Sequence, residues 1–410
     1  MTQDRKTARH KTARQKDNYM INWGIIGCGN VTEVKSGPAF NKVSGSKLLA
    51  VMRRDRALAE DYAKRHNVPK VYSNAMELIN DSDITAVYVA TPPGSHAEYA
   101  IETLKAGKPV YIEKPMALNY AECQKINEAS EKYGAPVFVA YYRRALPGFL
   151  KVKELIESGK IGEVHQVVAQ IHYNPGPQDT TIQPPPASLD WEEWCGPAPK
   201  LEYRPSIGHK SWRLEKEYGN GHLVDWGIHH IDIIRKIMGE GMPDDIYATG
   251  GIFAMKDQIT SPDTLEARFG FKRAPVTWQH RLWGNGDVTR EFNNGIFFYG
   301  DKGTLFAEDS KIVIFPEGKD TKREDLAIPT PAMQENHVEN FLKAVRHKDN
   351  KIIDCTPEDA FQSTAAVQLA MISYNTGTIV KWDSRNKQTD GNPEAFALLK
   401  RAYRGKYVHP

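Results

Sequence analysis

The run from Asn22 to Asn30, NWGIIGCGN, limits what this chain can become more than any other stretch. A short, uninterrupted apolar segment of this length reads as a strand buried on both faces of a parallel sheet. It ends in two glycines one residue apart. Without Cβ atoms, Gly27 and Gly29 permit a tight turn and a close approach of backbone to ligand. If a helix opens next, its first N–H groups and positive dipole end point at that turn, making a site for a pyrophosphate. Cys28, Asn30 and Val31 would then line the turn. The third glycine of the dinucleotide-binding fingerprint is replaced by Thr32, so the usual close packing of that helix is altered.

The segments beyond this turn support the dinucleotide reading. From residue 20 to 142 strand-like and helix-like segments alternate: strands at 47–53, 70–72, 86–90, 109–112 and 136–141, helices at 55–63, 74–80, 95–106 and 119–133. Asp55 is placed to cap one helix, and Gly107 and Gly134 to end two others. Such alternation gives right-handed crossovers and a doubly wound parallel sheet. Ligands of these sheets bind at the carboxyl ends of the strands, so the turns after Ile26, Val51, Ala90 and Ile112 should share one crevice.

Composition narrows the class. The net charge of +3 is misleading, because residues 1–19 carry six Lys/Arg and two Asp, leaving the remainder near −1. That gives no basic face for nucleic acid. The same segment has almost no apolar residues and repeats Lys-Thr-Ala-Arg, which reads as a disordered basic tail. It lacks the apolar core of a secretory signal. No apolar run approaches the roughly 18 residues of a membrane span. Four scattered cysteines suggest neither a disulfide framework nor paired metal ligands. A reducing, cytoplasmic setting fits.

Past Arg144 the pattern changes. A linking helix is expected at 147–158 and a half-exposed antiparallel strand at 164–173. Residues 174–212 are rich in Pro and Trp, and read as a folded loop over a site. A helix near 222–238, strand-like runs at 246–254, 264–271, 275–283, 288–298 and 303–315, helices at 337–347 and 357–374, and a strand at 378–382 suggest a second α/β domain. Its sheet should be large, open and mixed. Domain limits are placed at 20–142 and 143–383, with 384–410 as a C-terminal arm that packs on the surface or on a neighbouring subunit.

Two clusters carry chemistry. Glu113-Lys114-Pro115 ends a parallel strand at the crevice, and Pro115 biases Lys114 toward an extended conformation. In Asp225-Trp226-Gly227-Ile228-His229-His230-Ile231-Asp232, helical spacing puts Asp225 and His229 on one face, with Asp232 able to share it. His229 and His230 face apart, which disfavours a shared metal and leaves a histidine beside a carboxylate, the usual setting of a general base.

Gly27-Cys28-Gly29, Thr91-Pro92-Pro93 with His96, Glu113-Lys114-Pro115 and Asp225-x-x-x-His229, in this order and spacing, resemble the glucose–fructose oxidoreductase/inositol dehydrogenase (Gfo/Idh/MocA) family over residues 20–383. The resemblance implies a Rossmann domain followed by an α/β domain, with a homodimer or homotetramer built through the second sheet. It implies hydride transfer between a nicotinamide and a hydroxyl of a sugar or cyclitol. By the same resemblance Lys114 contacts the reacting oxygen, His229 is the acid/base, and Asp225 orients substrate or His229. Thr91, Pro92, His96, Glu113 and Lys114 join the glycine turn in holding cofactor. Arg53 and Arg54 follow the second strand, where an acidic residue would favour NAD, so they favour NADP. Arg143, Trp212, Arg213, Tyr173 and His230, with Tyr142 and Trp191, are candidate substrate contacts. Competing readings are a glycoside-cleaving enzyme with permanently bound NAD and a non-catalytic nicotinamide sensor.

Overall fold

Six short, β-branched and apolar strands form the first sheet: β1 (Ile21–Ile26), β2 (Ser46–Met52), β3 (Lys70–Tyr72), β4 (Ala86–Val89), β5 (Val110–Ile112) and β6 (Val137–Val139). In the computed structural model, which describes residues 20–34, 36–208, 211–330, 332–347 and 352–410, all six are parallel in the order β3-β2-β1-β4-β5-β6. The order reverses between β1 and β4, which opens a crevice at their carboxyl ends. The expectation for residues 1–19 lies outside the described residues. Local signals end the helices where expected. The Asp55 carboxylate accepts from Leu58 N at 3.1 Å, Asn119 caps the helix Tyr120–Tyr133, and Gly134 closes it in the left-handed region.

Ten strands make the second sheet: β7 (Val164–His172), β8 (Asp245–Gly251), β9 (Thr264–Gly270), β10 (Val276–Arg281), β11 (Asn294–Gly300), β12 (Gly303–Ala307), β13 (Lys311–Pro316), β14 (Glu324–Ala327), β15 (Val380–Asp383) and β16 (Gln388–Thr389). Their order is β14-β13-β12-β11-β7-β10-β9-β8-β15-β16. The sheet is mixed as expected, antiparallel except for β7 against β10. The expectation for β7 itself needs correction. It is a central strand, parallel to β10 and antiparallel to β11, and its last four residues are buried on both faces.

Two helices tie the sheets together. Pro357–Thr376 is buried nearly all round, as its Ala- and Ser-rich sequence permits. Its Thr364 hydroxyl bonds Tyr141 at 2.7 Å and accepts from Met116 N, while Ser373 accepts from Ala248 N in the second sheet. Met333–His347 was expected simply to close the second domain, but it packs on the first sheet. Phe341 meets Trp23 at 5.2 Å and Phe138 at 5.6 Å, and the His337 ring lies 2.8 Å from the Tyr111 hydroxyl.

Residues 174–208 and 211–218 fold around a small core of their own: Trp191, Cys195, Ala198, Ile207 and Tyr218, with Trp191 stacked on Trp194 at 4.7 Å.

Candidate active site

Gly27 has φ +92°, and a Cβ there would meet the Thr91 side chain at 2.9 Å. A Cβ on Gly29 would touch nothing nearer than 4.0 Å and would stand in the crevice. These are the two properties a pyrophosphate cradle needs, a forced turn and an open backbone. The helix that follows, Asn30–Val34, is only five residues long. Thr32 turns its hydroxyl back to Gly29 O at 2.8 Å, and its own carbonyl accepts from Tyr62 OH at 3.0 Å. The close approach expected of a third glycine is made at Gly37 instead, where a Cβ would lie 2.0 Å from Thr32 O.

One cavity of about 1710 Å³ runs from this turn, past the ends of β2, β4 and β5, to the second sheet. Ordinary ligand pockets hold about 300–1,000 Å³, so there is room for a dinucleotide and a second small molecule. Gly27, Cys28, Gly29, Asn30, Val31, Arg53, Arg54, Thr91, Pro92, Glu113 and Lys114 all line it. The four strand-end turns therefore share a crevice, and the residues present fit a nicotinamide dinucleotide. Arg53 and Arg54 both stand on this cavity just past the end of β2. His96 does not reach the cavity. It is buried with Nδ1 2.9 Å from Pro115 O and Nε2 2.8 Å from Thr91 O, and burial holds its pKa below the usual value. It fastens the two turns to each other rather than touching a ligand.

Lys114 crosses from the Rossmann half to the second domain. Its Nζ donates to Asp225 Oδ1 at 2.6 Å and to Asp225 O at 2.7 Å. Arg213 reaches the same carboxylate, Nε to Oδ2, at 3.1 Å. Burial pushes the Asp225 pKa up, but the Lys114 and Arg213 cations more than offset it, and the carboxyl is held down at about 2. The Gly219-Asn220-Gly221 turn explains how Arg213 comes so close. A Cβ on Gly219 would sit 2.3 Å from Arg213 Cα, and Gly221 N donates to Arg213 O at 2.9 Å. The Arg213 guanidinium also lies 4.5 Å over the Trp212 ring.

Asp225 and His229 both line the cavity, but not through a plain helical repeat. Leu223–Gly227 forms a π-turn before the helix Ile228–Met238. The wider turn adds a residue and re-aims the side chains before it. His229 packs against the Tyr142 ring at 4.9 Å and Trp226 at 6.4 Å. Asp232 departs from the shared face. It is buried in a bidentate pair with Arg144, at 2.7 and 2.8 Å, and holds the helix from behind.

Of the candidate substrate contacts, Trp212, Arg213, Tyr173 and Tyr142 line the cavity. Three do not. Arg143 is 3% exposed and pairs with Asp309 at 2.8 Å, because the 3₁₀ turn Tyr142–Ala145 sends Tyr142 into the cavity and its neighbour away. His230 is 1% exposed and packs edge-on to Trp278. Trp191 belongs to the core of its own loop, and Trp194 faces the cavity instead.

Sequence reasoning missed His172 and His222, which also line the cavity. Neither His172 ring nitrogen has a hydrogen-bond partner. Burial, then Arg281, pushes its pKa down to about 4. His222 is held well below its usual value, first by burial and then by His280; its ring bonds the Ile171 backbone, leaving Nε2 without a partner. Burial favours the neutral form of both imidazoles, and these unpartnered nitrogens are themselves buried. The β7 alternation and the glycines before His222 were the only signals available.

The family model described as the NAD-binding Rossmann fold of an oxidoreductase family (GFO_IDH_MocA) matches residues 21–141, and its C-terminal alpha/beta domain model matches residues 151–409. Oxidoreductase P35 of Formosa agariphila is 53% identical over 151 residues, 37% of this chain and 47% of that protein, so this match spans about half of the relative's length. Inositol 2-dehydrogenase 2 of Saccharopolyspora erythraea is 25% identical over 87% of this chain and 94% of its own. A levoglucosan dehydrogenase solved with NADH and levoglucosan superposes with a TM-score of 0.69 at 20% identity, covering 88% of this chain and 99% of the other.

Proposed function

We propose that this chain, which belongs to the Gfo/Idh/MocA oxidoreductase family, transfers a hydride between a nicotinamide dinucleotide and a secondary hydroxyl or keto group of a sugar, sugar derivative or cyclitol. The observation that carries the reading is the contact of Lys114, from the end of β5, with Asp225, from the second domain, in the cavity that begins at the glycine turn and that His229 also lines. When bound, the nicotinamide supplies the hydride acceptor. The protein's part is the proton and the charge. The His229 imidazole takes the hydroxyl proton as the C–H bond breaks. The Lys114 ammonium, fixed by Asp225, stabilises the negative charge growing on the oxygen. Trp212 and Tyr173 offer aromatic faces to the C–H side of a ring. His172 and His222 add uncharged imidazole rings to the cavity wall.

NADP is the proposed partner, because a guanidinium stands where an acidic residue would otherwise grip the ribose hydroxyls. Either Arg53→Ala or Arg54→Ala should weaken NADP binding far more than NAD binding, measured by fluorescence titration; equal weakening of the two cofactors in both variants refutes the phosphate contact.

The reaction is tested by following reduced-nicotinamide absorbance with a panel of aldoses, keto-sugars, inositols and sugar acids. Lys114→Ala and His229→Ala should each lower turnover by roughly 10²–10⁴. Rates retained within about twofold in both, on the scale expected for losing an acid/base group, would overturn these roles. A cofactor that copurifies and cycles with no net redox change would instead indicate the glycoside-cleaving chemistry.

A further inference from the structure

The end of the chain lies in the cofactor crevice. Tyr403, Lys406, Tyr407, Val408 and Pro410 line the same cavity as Gly27 and Arg54. We propose that residues 400–410 are part of the cofactor site and form the outer wall of its adenosine end; this rests on the dinucleotide reading above.

The position along the crevice is set by its neighbours. The ribose nearer the adenine is held just beyond β2 in a doubly wound sheet, and Arg54 stands there. Tyr99, on the helix His96–Lys105, lines the cavity together with Arg54, Glu193 and Tyr407. The arm thus closes over the end marked by Arg54, and Lys114 and His229 occupy the other.

The wall is fastened. Arg404 donates from its backbone N to Pro197 O at 3.1 Å and from Nε to Ala198 O at 2.7 Å, and its guanidinium pairs with Glu192. Lys406 pairs with Glu193, and the Arg401 guanidinium donates to Glu217 O at 2.9 Å. All of these partners belong to the Trp-rich segment 174–218, whose Pro197 abuts the Thr91-Pro92-Pro93-Gly94 turn; a Cβ on Gly94 would lie 3.4 Å from it. Segment and arm together border the crevice on this side. The chemistry there suits an adenosine: phenol faces at Tyr99 and Tyr407 for a flat base, carboxylates at Glu98 and Glu193 to accept from its amine, and a guanidinium for a ribose phosphate. A dinucleotide seated against this wall makes contacts that leaving must break, so dissociation should be slow.

The test compares the full chain, a chain ending at Leu399, and the Lys406→Ala/Tyr407→Ala double variant, which keeps the Arg404 anchor. NADPH and NADH are titrated by nicotinamide fluorescence, and dissociation is followed by stopped flow. Truncation should raise Kd about tenfold or more, mainly through a faster off-rate, with a smaller change of the same kind in the double variant. If truncation leaves the chain unfolded, the double variant decides. Dinucleotide Kd and off-rate within about twofold of the full chain's, against the decade expected for a lost wall, would overturn the proposal. If the full chain binds neither dinucleotide, the cofactor reading itself fails, and the arm's role fails with it.

Discussion

Lys114→Met is the most informative single change, because it tests whether the Lys114–Asp225 contact is held as tightly as its geometry implies. The Asp225 carboxyl lies at about 2 against an ordinary 3.8. Roughly two units at 1.36 kcal/mol each make about 2.5 kcal/mol of preference for the charged form. Burial opposes that form, and Lys114 comes before Arg213 among the groups that sustain it. Removing the ammonium leaves a buried carboxylate with one cation, Arg213. Breaking a buried pair costs about 3–5 kcal/mol when nothing remains, so the variant should lose roughly 2–4 kcal/mol in urea unfolding at pH 7. The sign of the pH dependence is fixed. In the native protein the depressed carboxyl contributes stability in full above about pH 4 and loses it as pH falls toward 2. In the variant burial raises the carboxyl instead, so the folded state takes up a proton sooner. The deficit should therefore be largest near neutrality and narrow between pH 7 and 5. The double variant Lys114→Met/Asp225→Asn should recover most of the stability, since losing both partners strands no charge, while turnover stays lowered by roughly 10²–10⁴ in both variants. A deficit below about 0.5 kcal/mol, the level of an exposed pair, or one that grows on acidification, would refute the reasoning.

Other consequences can be measured independently. His172 and His280 are held at about 4, chiefly by burial. Their lowered folded pKa values mean that stability, complete above the unfolded value of about 6.5, is lost as pH falls toward 4, by about 2 kcal/mol each at pH 5; unfolding free energy that stays flat from pH 7 to 5 would contradict this. Gly219→Ala drives a Cβ into the Arg213 backbone, so it should cost about 1–3 kcal/mol or more and displace Arg213 from Asp225. A variant of native stability with unchanged substrate KM would show that the turn has slack. Arg143→Met should lower the thermal midpoint while leaving kcat/KM within about twofold, because Arg143 faces Asp309 rather than the cavity; a selective rise in KM would return it to the substrate site.

The parts of this fold that could be read in advance are those specified over a few residues. Gly27 and Gly29, the caps at Asp55 and Asn119, and the apolar strands β1 to β6 each carry their own local cause. The open second sheet was legible from strand spacing, but β7 read as half-exposed because pairing on both sides leaves no mark on one strand. Arg143 and His230 show where adjacency fails. Each sits next to a true cavity residue, Tyr142 or His229, and one step along a helical backbone turns a side chain by about 100°. The π-turn before His229 has no residue signature. The contact of Arg404 with Glu192 spans 212 residues, and no local pattern announces it.

The helix Met333–His347 carries a lesson for anyone who would cut this molecule in two. Trp23, Tyr111 and Phe138, laid down early in synthesis, lack this cover until a segment roughly 200 to 320 residues later comes back to shield them. A fragment stopped at residue 142 would expose that aromatic face and should precipitate or recruit chaperones. Chimeras that exchange the nucleotide-binding half should carry Met333–His347 with it.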